Sequence, residues 1–398
     1  MMRNLVWGLV FGVCVLVHGG TYNVRDVGAV GDGIVDDAPA INRVLAMPAR
    51  PLVVHIPAGT YLIGETLKVG SRTTIEADAD ARLVLSGAWA KKEGDFLLAN
   101  ADPIEGNEDI TIRGGVWDGN AHDGHNVKNP DLFAKNAWSG ATLNFANVKK
   151  LSLSNMELAN SVTFNIRMCR IDGFNIEGIT FSARRFGWNQ DGLHFNGFCR
   201  NGRIENIRAV SKGQTNDDLL AFNADDSMVR IENYGMVCGP IENVTVKNVF
   251  AEDCHTAVRF LSVTSLISNV SIENMHAGCR CYAVNADAAR YCRTPLFKDA
   301  DATNGVGRLS NIVIDGFTFY ATKSVGEPLF CMETNVENVH FKNLVRDMEK
   351  DVAHARPFLR IRKTAAMRVT ADGRVIDVPR GGQMSLVASP KTLQLVGR

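Results

Sequence analysis

The chain has 398 residues, of which 45% are hydrophobic and 22% are charged, with 43 basic and 43 acidic side chains. This balance argues against a general binder of nucleic acid or other polyanions, because neither sign has the excess that attracts such partners over long distances. Disorder is excluded as well, because the plentiful aliphatic residues can bury enough apolar surface to offset the entropy of ordering.

The first twenty residues have the features of a signal peptide. Arg3 precedes an apolar run from Leu5 to Val17, and small residues follow at Gly19 and Gly20. The run is too short to span a bilayer. We therefore predict a signal peptide over residues 1–20, a secreted or periplasmic protein and no membrane span. A buried N-terminal helix is the alternative.

A short repeated unit follows, with the pattern apolar, any, apolar, any, Asn or Gly, apolar. Its alternation is typical of a strand with one buried face. Its fifth position holds the two residue types that best tolerate a left-handed backbone turn. The fifth positions are Gly114, Asn155, Gly178, Asn206, Asn248, Asn274, Gly316 and Asn343.

Strand, left-handed bend and strand, without a helical period between them, describe a parallel β-helix whose coils pair only with their neighbours. An antiparallel sandwich would need hairpin turns every roughly 8 to 12 residues, and these are sparse. We predict an all-β, single-stranded parallel β-helix over residues 21–345. Asp36 and Asp37 start a capped helix in its N-terminal helical cap. Residues 346–398 form a C-terminal cap, in which Asp372 and Gly373 indicate a small hairpin.

Acidic residues lie beside strand-like segments that should stack side by side. The aligned segments are Leu193 to Phe195, Leu220 to Phe222 and Val258 to Phe260. This alignment puts Asp191 level with Asp218, and Asp217 level with His255. His194 and Arg259 then share one outward position. The register gathers three carboxylates, two imidazoles and one guanidinium on one patch.

Clustered carboxylates repel one another's charge, so at least one of them binds its proton more tightly. An inverting glycosidase uses such an acid to protonate the leaving oxygen while ionised carboxylates roughly 6.5 to 9.5 Å away activate water. Adjacent Asp217 and Asp218 can both serve only if the chain bends between them. A turn in which the pair binds nearby amides is the alternative.

Several motifs resemble family 28 glycoside hydrolases, the polygalacturonase-like group of the right-handed pectin-lyase-type β-helices. The stretch from Tyr22 to Gly33 resembles an N-terminal signature of β-helix enzymes, and Gly115 to Asn120 resembles the family's Gly-x-Ile-Asp-Gly. The active-site motif Asn-Thr-Asp-Gly appears as Asn189 to Gly192, and the aspartate-pair motif as Asn216 to Asp218.

The resemblance implies a hydrolase of a pectin-related or other polysaccharide, with no metal or cofactor, and we expect a monomer. Asp217 would be the general acid, and Asp191 with Asp218 would position and deprotonate water. The implied substrate-binding residues are Asn189, His194, His255 and Arg259. A catalytically degenerate carbohydrate-binding protein and a uronan lyase or epimerase on the same fold are the alternative functions.

Two departures from the family bear on the substrate. Residues 234–240 lack the family's Gly-His-Gly histidine, so we expect His194 or His255 to take its place. The Arg-Ile-Lys motif appears as Arg259 to Leu261 and loses the lysine. Because that cation would hold a uronate carboxylate, the sequence favours a sugar other than plain polygalacturonan.

Further residues carry open interpretations. Arg259 could instead form a cross-coil ion pair, and Asp225 with Asp226 is expected to form a solvated turn. Trp117, Trp138 and Trp188 could stack on sugars or lie buried. The group Asp118, His122, Asp123 and His125 mimics metal ligands, but we expect no metal there.

Overall fold

The computed structural model describes residues 19–89, 91–121, 137–226, 235–293 and 305–398. Nearly all of the predicted signal peptide, together with His122, Asp123 and His125, lies outside these residues. Within the described part of the chain, no helix is long and apolar enough to cross a membrane.

The described residues form 25 strands, one α-helix, α1 (Ala38–Leu45), and two short 3-10 helices, Val24–Val27 and Ala288–Arg293. The strands in chain order are β1 (Gly20–Asn23), β2 (Asp32–Asp36), β3 (Leu52–Ile56), β4 (Gly59–Ile63), β5 (Leu67–Val69), β6 (Thr73–Ala77), β7 (Ala81–Leu85), β8 (Leu98–Asn100), β9 (Asn107–Arg113), β10 (Val116–Asp118), β11 (Leu143–Ala159), β12 (Ile166–Ser182), β13 (Leu193–Phe195), β14 (Cys199–Ala209), β15 (Asp218–Phe222), β16 (Ile241–Phe260), β17 (Leu266–Ala286), β18 (Arg308–Ala321), β19 (Phe330–Met332), β20 (Asn338–Arg346), β21 (Leu359–Arg362), β22 (Met367–Ala371), β23 (Arg374–Val378), β24 (Gln383–Leu386) and β25 (Leu393–Gly397).

Strands from successive turns of the chain stack in parallel. The long strand β12 pairs in parallel with β11 on one side and with β13 and β14 on the other, and β16 pairs in the same way with β14, β15 and β17. Each coil thus hydrogen-bonds to the coil before and the coil after it, which is the predicted parallel β-helix.

The left-handed bends lie where the repeat predicts them. All eight fifth positions have positive φ angles, from 49° at Asn343 to 78° at Gly114. Where consecutive coils have Asn at this position, the side-chain amides also form hydrogen bonds between the coils. Asn248 donates to Asn206 at 3.0 Å, and Asn274 donates to Asn248 at 2.8 Å. The bends therefore hold consecutive coils in register as well as turning the chain.

A second amide ladder, absent from the repeat pattern, precedes the first by five residues in each coil. Its members are Asn201, Asn243, Asn269 and Asn311, each at positive φ and each bonded to the next at 3.0 to 3.2 Å. Inside the coils, the rings of Phe195, Phe222 and Phe260 stack with centroids 5.4 Å apart. These contacts fix the lateral positions of β13, β15 and the end of β16.

The two ends of the chain differ from the middle. Asp36 accepts the backbone N–H of Ala38 at the start of α1, whereas the Asp37 carboxylate accepts two N–H groups of the preceding loop. At the other end, Asp372 and Gly373 turn the predicted hairpin between β22 and β23. Parallel pairing extends past residue 345, because β21 still pairs in parallel with β19. The domain boundaries stay predictions.

Asn248 lies in the middle of the first ladder and tests its contribution. We expect Asn248→Ala to lower the free energy of unfolding by about 1 to 3 kcal/mol, because alanine disfavours positive φ and the ladder loses its amide. Asn248→Gly is the matched control. It removes the same amide but tolerates the bend, so its loss should be smaller. Urea denaturation measures both, and an alanine variant as stable as the wild type would contradict this role.

Candidate active site

The predicted register of the site strands is confirmed. Leu193 pairs with Leu220, which in turn pairs with Val258 on the next strand. In the same way His194 pairs with Ala221, and Ala221 pairs with Arg259. Asp191 therefore lies beside Asp218, and the Gly192 N–H donates to the Asp218 carbonyl at 2.9 Å. Gly192 is needed for this approach, because a Cβ there would lie 2.5 Å from the carbonyl oxygen of Leu219.

Asp217 is the member of the aspartate cluster that faces solvent. Its side chain is 25% exposed, beside a His255 side chain that is 39% exposed. The Asn189 amide lies 3.4 Å from one Asp217 oxygen, and His255 Nδ1 lies 3.6 Å from the other. Burial lowers the pKa of His255, partly opposed by the charge of Asp218, so its imidazole is neutral at pH 7.

Asp218 is buried in a row of alternating charges. Its carboxylate is 2% exposed and lies 3.1 Å from Nη1 of Arg259. Nη2 of the same guanidinium lies 3.4 Å from Asp287, which also pairs with Arg290 at 2.7 Å. The charge of Arg259 is thus shared by two carboxylates from neighbouring coils, and its side chain is almost fully buried, as in the cross-coil ion pair given as the alternative. Its expected substrate-binding role stays a prediction.

Asp191, also 2% exposed, is joined to a buried histidine. His194 Nδ1 lies 2.6 Å from Asp191 Oδ2, and His194 Nε2 lies 3.4 Å from Asp226 Oδ2. The ring of His194 is fully buried between these carboxylates and the ring of Phe164, 4.4 Å away between centroids. This burial disfavours the expected contact of His194 with substrate, which stays a prediction.

The solvated turn expected at Asp225 and Asp226 is wrong, since both side chains are buried. Asp225 accepts the backbone N–H groups of Val263, Thr264 and Ser265 at 2.6 to 2.8 Å. An aspartate in a turn often bonds nearby amides, but these amides belong to another coil. The residues next to Asp225 and Asp226 in the sequence therefore could not have predicted that the two side chains are buried.

The cluster as a whole combines one accessible acid with two charge-compensated, buried carboxylates. Asp217, Asp218 and His255 also present ligand atoms within 4.8 Å of one another, so these three could hold a cation. Of the three tryptophans considered for sugar stacking, Trp117 is fully buried and the indole N–H of Trp138 donates to the Asp95 carbonyl. Trp188 is 77% exposed and directly precedes Asn189.

Comparisons with known proteins agree with this architecture. The family described as rhamnogalacturonase A/epimerase, pectate lyase-like, matches residues 21–280. A polygalacturonase of Prunus persica is 25% identical over 305 residues, covering 71% of this chain and 70% of the relative. The structure of the family 28 exopolygalacturonase of Yersinia enterocolitica superimposes with a TM-score of 0.56 at 16% identity, covering 81% of this chain and 71% of that one.

A relative of another kind matches a smaller part of the chain. Plasmin and fibronectin-binding protein A of Streptococcus pneumoniae is 32% identical over 145 residues, covering 33% of this chain and 20% of that protein. Sequence similarity is thus found both to a protein named as an enzyme and to a protein named for binding.

The buried ion pairs of Arg259 can be tested through stability. We expect Arg259→Gln to lower the free energy of unfolding by about 3 kcal/mol at pH 7, because two buried carboxylates lose a shared countercharge. Arg203→Gln, which removes the exposed pair of Arg203 with Glu205, is the control and should change nothing measurable in the same urea denaturation. If the two substitutions lowered the free energy of unfolding equally, the buried ion pairs of Arg259 would not have the expected stabilising role.

Proposed function

The chain belongs to the rhamnogalacturonase A/epimerase, pectate lyase-like family, and we propose that it is a secreted, monomeric glycoside hydrolase that cleaves a pectin-related polysaccharide with inversion. The observation that carries the proposal is the partition of the aspartate cluster. Asp217 is accessible, whereas Asp191, just before β13, and Asp218, at the start of β15, are buried and each lies beside a basic side chain. Glycoside hydrolysis requires an acid that can reach the glycosidic oxygen and a second carboxylate that activates water.

Each aspartate then has a separate role. Asp217 protonates the glycosidic oxygen as its bond to the anomeric carbon breaks. Water attacks that carbon from the opposite face and transfers a proton to Asp191 or Asp218, each of which lies beside a basic side chain. Their burial favours one enclosed water molecule over bulk solvent. The partly exposed Asn189 and His255 beside Asp217, and the exposed Trp188 next to Asn189 in the chain, are available to contact the sugar.

A second candidate is a carbohydrate-binding protein without catalysis. The observation that favours it is that Asp191 and Asp218 are almost fully buried and already engaged in ion pairs. A uronan lyase is disfavoured because the guanidinium available as a base, Arg259, is held by two carboxylates.

The hydrolase proposal is tested by products from a panel of pectic and other polysaccharides. We expect new reducing ends without absorbance of an unsaturated uronide, and at least about a hundredfold loss of turnover in Asp217→Asn. Asp172→Asn is the control, since Asp172 is an exposed aspartate paired with Arg200 on another face, and it should keep full activity. Unsaturated products would indicate elimination, and binding without any product would favour the second candidate.

The ion pairs of the site also bear on the substrate. Leu261, fully buried, takes the place of the expected lysine, and Arg259 is shared by Asp218 and Asp287. The lysine is thus missing, and the charge of Arg259 is already balanced by carboxylates of the protein. Because neither cation is then available to bind a uronate carboxylate, we propose that the sugar at the point of cleavage is neutral.

This substrate preference yields its own prediction. We expect hydrolysis of neutral pectic side chains to exceed that of unsubstituted polygalacturonan. Asp287→Asn should raise the relative rate on polygalacturonan, because Arg259 loses a competing carboxylate. Rates on the two substrates, measured for the wild type and the variant, test this. A wild type that prefers polygalacturonan would contradict it.

A further inference from the structure

A buried imidazole connects Asp191 to a carboxylate that the hydrolytic scheme does not otherwise use. His194 is 0% exposed, and its two ring nitrogens face Asp191 at 2.6 Å and Asp226 at 3.4 Å. We infer that His194 and Asp226 are positioning residues that keep Asp191 ionised and oriented as the base of the reaction. This inference rests on the proposed function.

The charges around the ring favour its imidazolium form. Burial, the largest influence, lowers the pKa of His194, but the hydrogen bond with Asp191 and the negative charges of Asp191 and Asp226 together raise it above its usual value. On the preceding strand, Arg167 pairs in register with His194, but it donates to Asn144 and lies over the rings of Phe96 and Phe164. On the following strand the neighbour is Ala221, which is uncharged.

Asp226 reaches His194 because the neighbouring residue, Asp225, binds the turn that contains both of them to the next coil. Asp225 binds three consecutive backbone N–H groups of the next coil, at Val263, Thr264 and Ser265. The Asp226 N–H donates to the Asn223 carbonyl at 3.3 Å, which closes the turn. The tightly bound Asp225 thus fixes the direction of the adjacent carboxylate.

The arrangement has a chemical consequence. An imidazolium N–H bonded to a carboxylate stabilises its ionised form and fixes its orientation. Asp226 supplies a second negative charge, so the group of Asp191, His194 and Asp226 keeps a net charge of about −1 when the ring is protonated. Asp191 can therefore accept the proton of the attacking water, while Asp217 gives its proton to the leaving oxygen.

Kinetics of two variants test the inference. We expect His194→Gln to lower kcat by about ten- to a hundredfold with little change in KM, and to move the acidic limb of the pH profile upward by about one unit. Asp226→Asn should move the alkaline limb downward, because the imidazolium then loses its proton at lower pH. Asp351→Asn is the control. Asp351 is a buried aspartate paired with Arg346, so its loss should lower stability but leave both limbs unchanged.

A measurement without turnover accompanies the kinetics. Nitrogen NMR of the full chain, with the His194 signal assigned from His194→Gln, should show an imidazolium at pH 7 that titrates at lower pH in Asp226→Asn. Because the folded chain binds the His194 proton more tightly than the unfolded chain does, protonation of this ring also stabilises the fold. This stabilisation is complete below the pKa of the histidine in the unfolded chain, and it is lost as pH rises through the higher pKa of His194 in the folded chain.

The outcomes separate the two proposals. An active wild type whose His194 is neutral at pH 7, or whose Asp226→Asn variant keeps the wild-type pH profile, overturns the positioning roles and leaves the hydrolase proposal standing. A wild type that hydrolyses nothing in the panel overturns both. The inference is supported if the limbs of the pH profiles shift as expected in both variants and His194 titrates at lower pH in Asp226→Asn.

Discussion

The in-register stacking of coils is the constraint on which the rest of the structure depends. A coil is held by its neighbours through parallel hydrogen bonds, two asparagine ladders and a stack of phenylalanine rings. A shift of one residue would turn every buried side chain outward. The register is therefore strongly determined, and polar residues from distant parts of the chain come to lie side by side with defined spacing.

This regularity lets charge accumulate in a region where burial would otherwise exclude it. An isolated buried carboxylate is costly, but a carboxylate beside a cation on the next coil is compensated. Asp218, Arg259 and Asp287 come from three successive coils and alternate in sign. Asp191, His194 and Asp226 form a second alternating row. Asp217, whose side chain is 25% exposed, is the member of the cluster that faces solvent.

The same compensation distinguishes this site from a simple collection of acidic groups. Repulsion alone would raise the proton affinity of whichever aspartate is least solvated. Here two of the three aspartates lie beside a basic side chain, and the third, Asp217, faces solvent. In the proposed scheme this difference assigns the acid role to Asp217. The guanidinium of Arg259 is shared by two carboxylates, which is the basis for the proposed neutral sugar.

The sequence by itself determined the coil architecture, because the repeat is local: alternation specifies a strand, and Asn or Gly at the fifth position permits the left-handed bend. It also determined the register that aligns Asp191 with Asp218 and Asp217 with His255, since stacked coils leave few ways to pair Phe195, Phe222 and Phe260. Only the tertiary structure decided which of these side chains meet solvent. His194 and Arg259 occupy outward positions of their strands, yet both are buried, because Asp226 and Asp287 arrive from turns whose paths depend on contacts with other coils. Such long-range contacts leave no periodic trace in the sequence, so the partners that set the charge of the site became visible only in three dimensions.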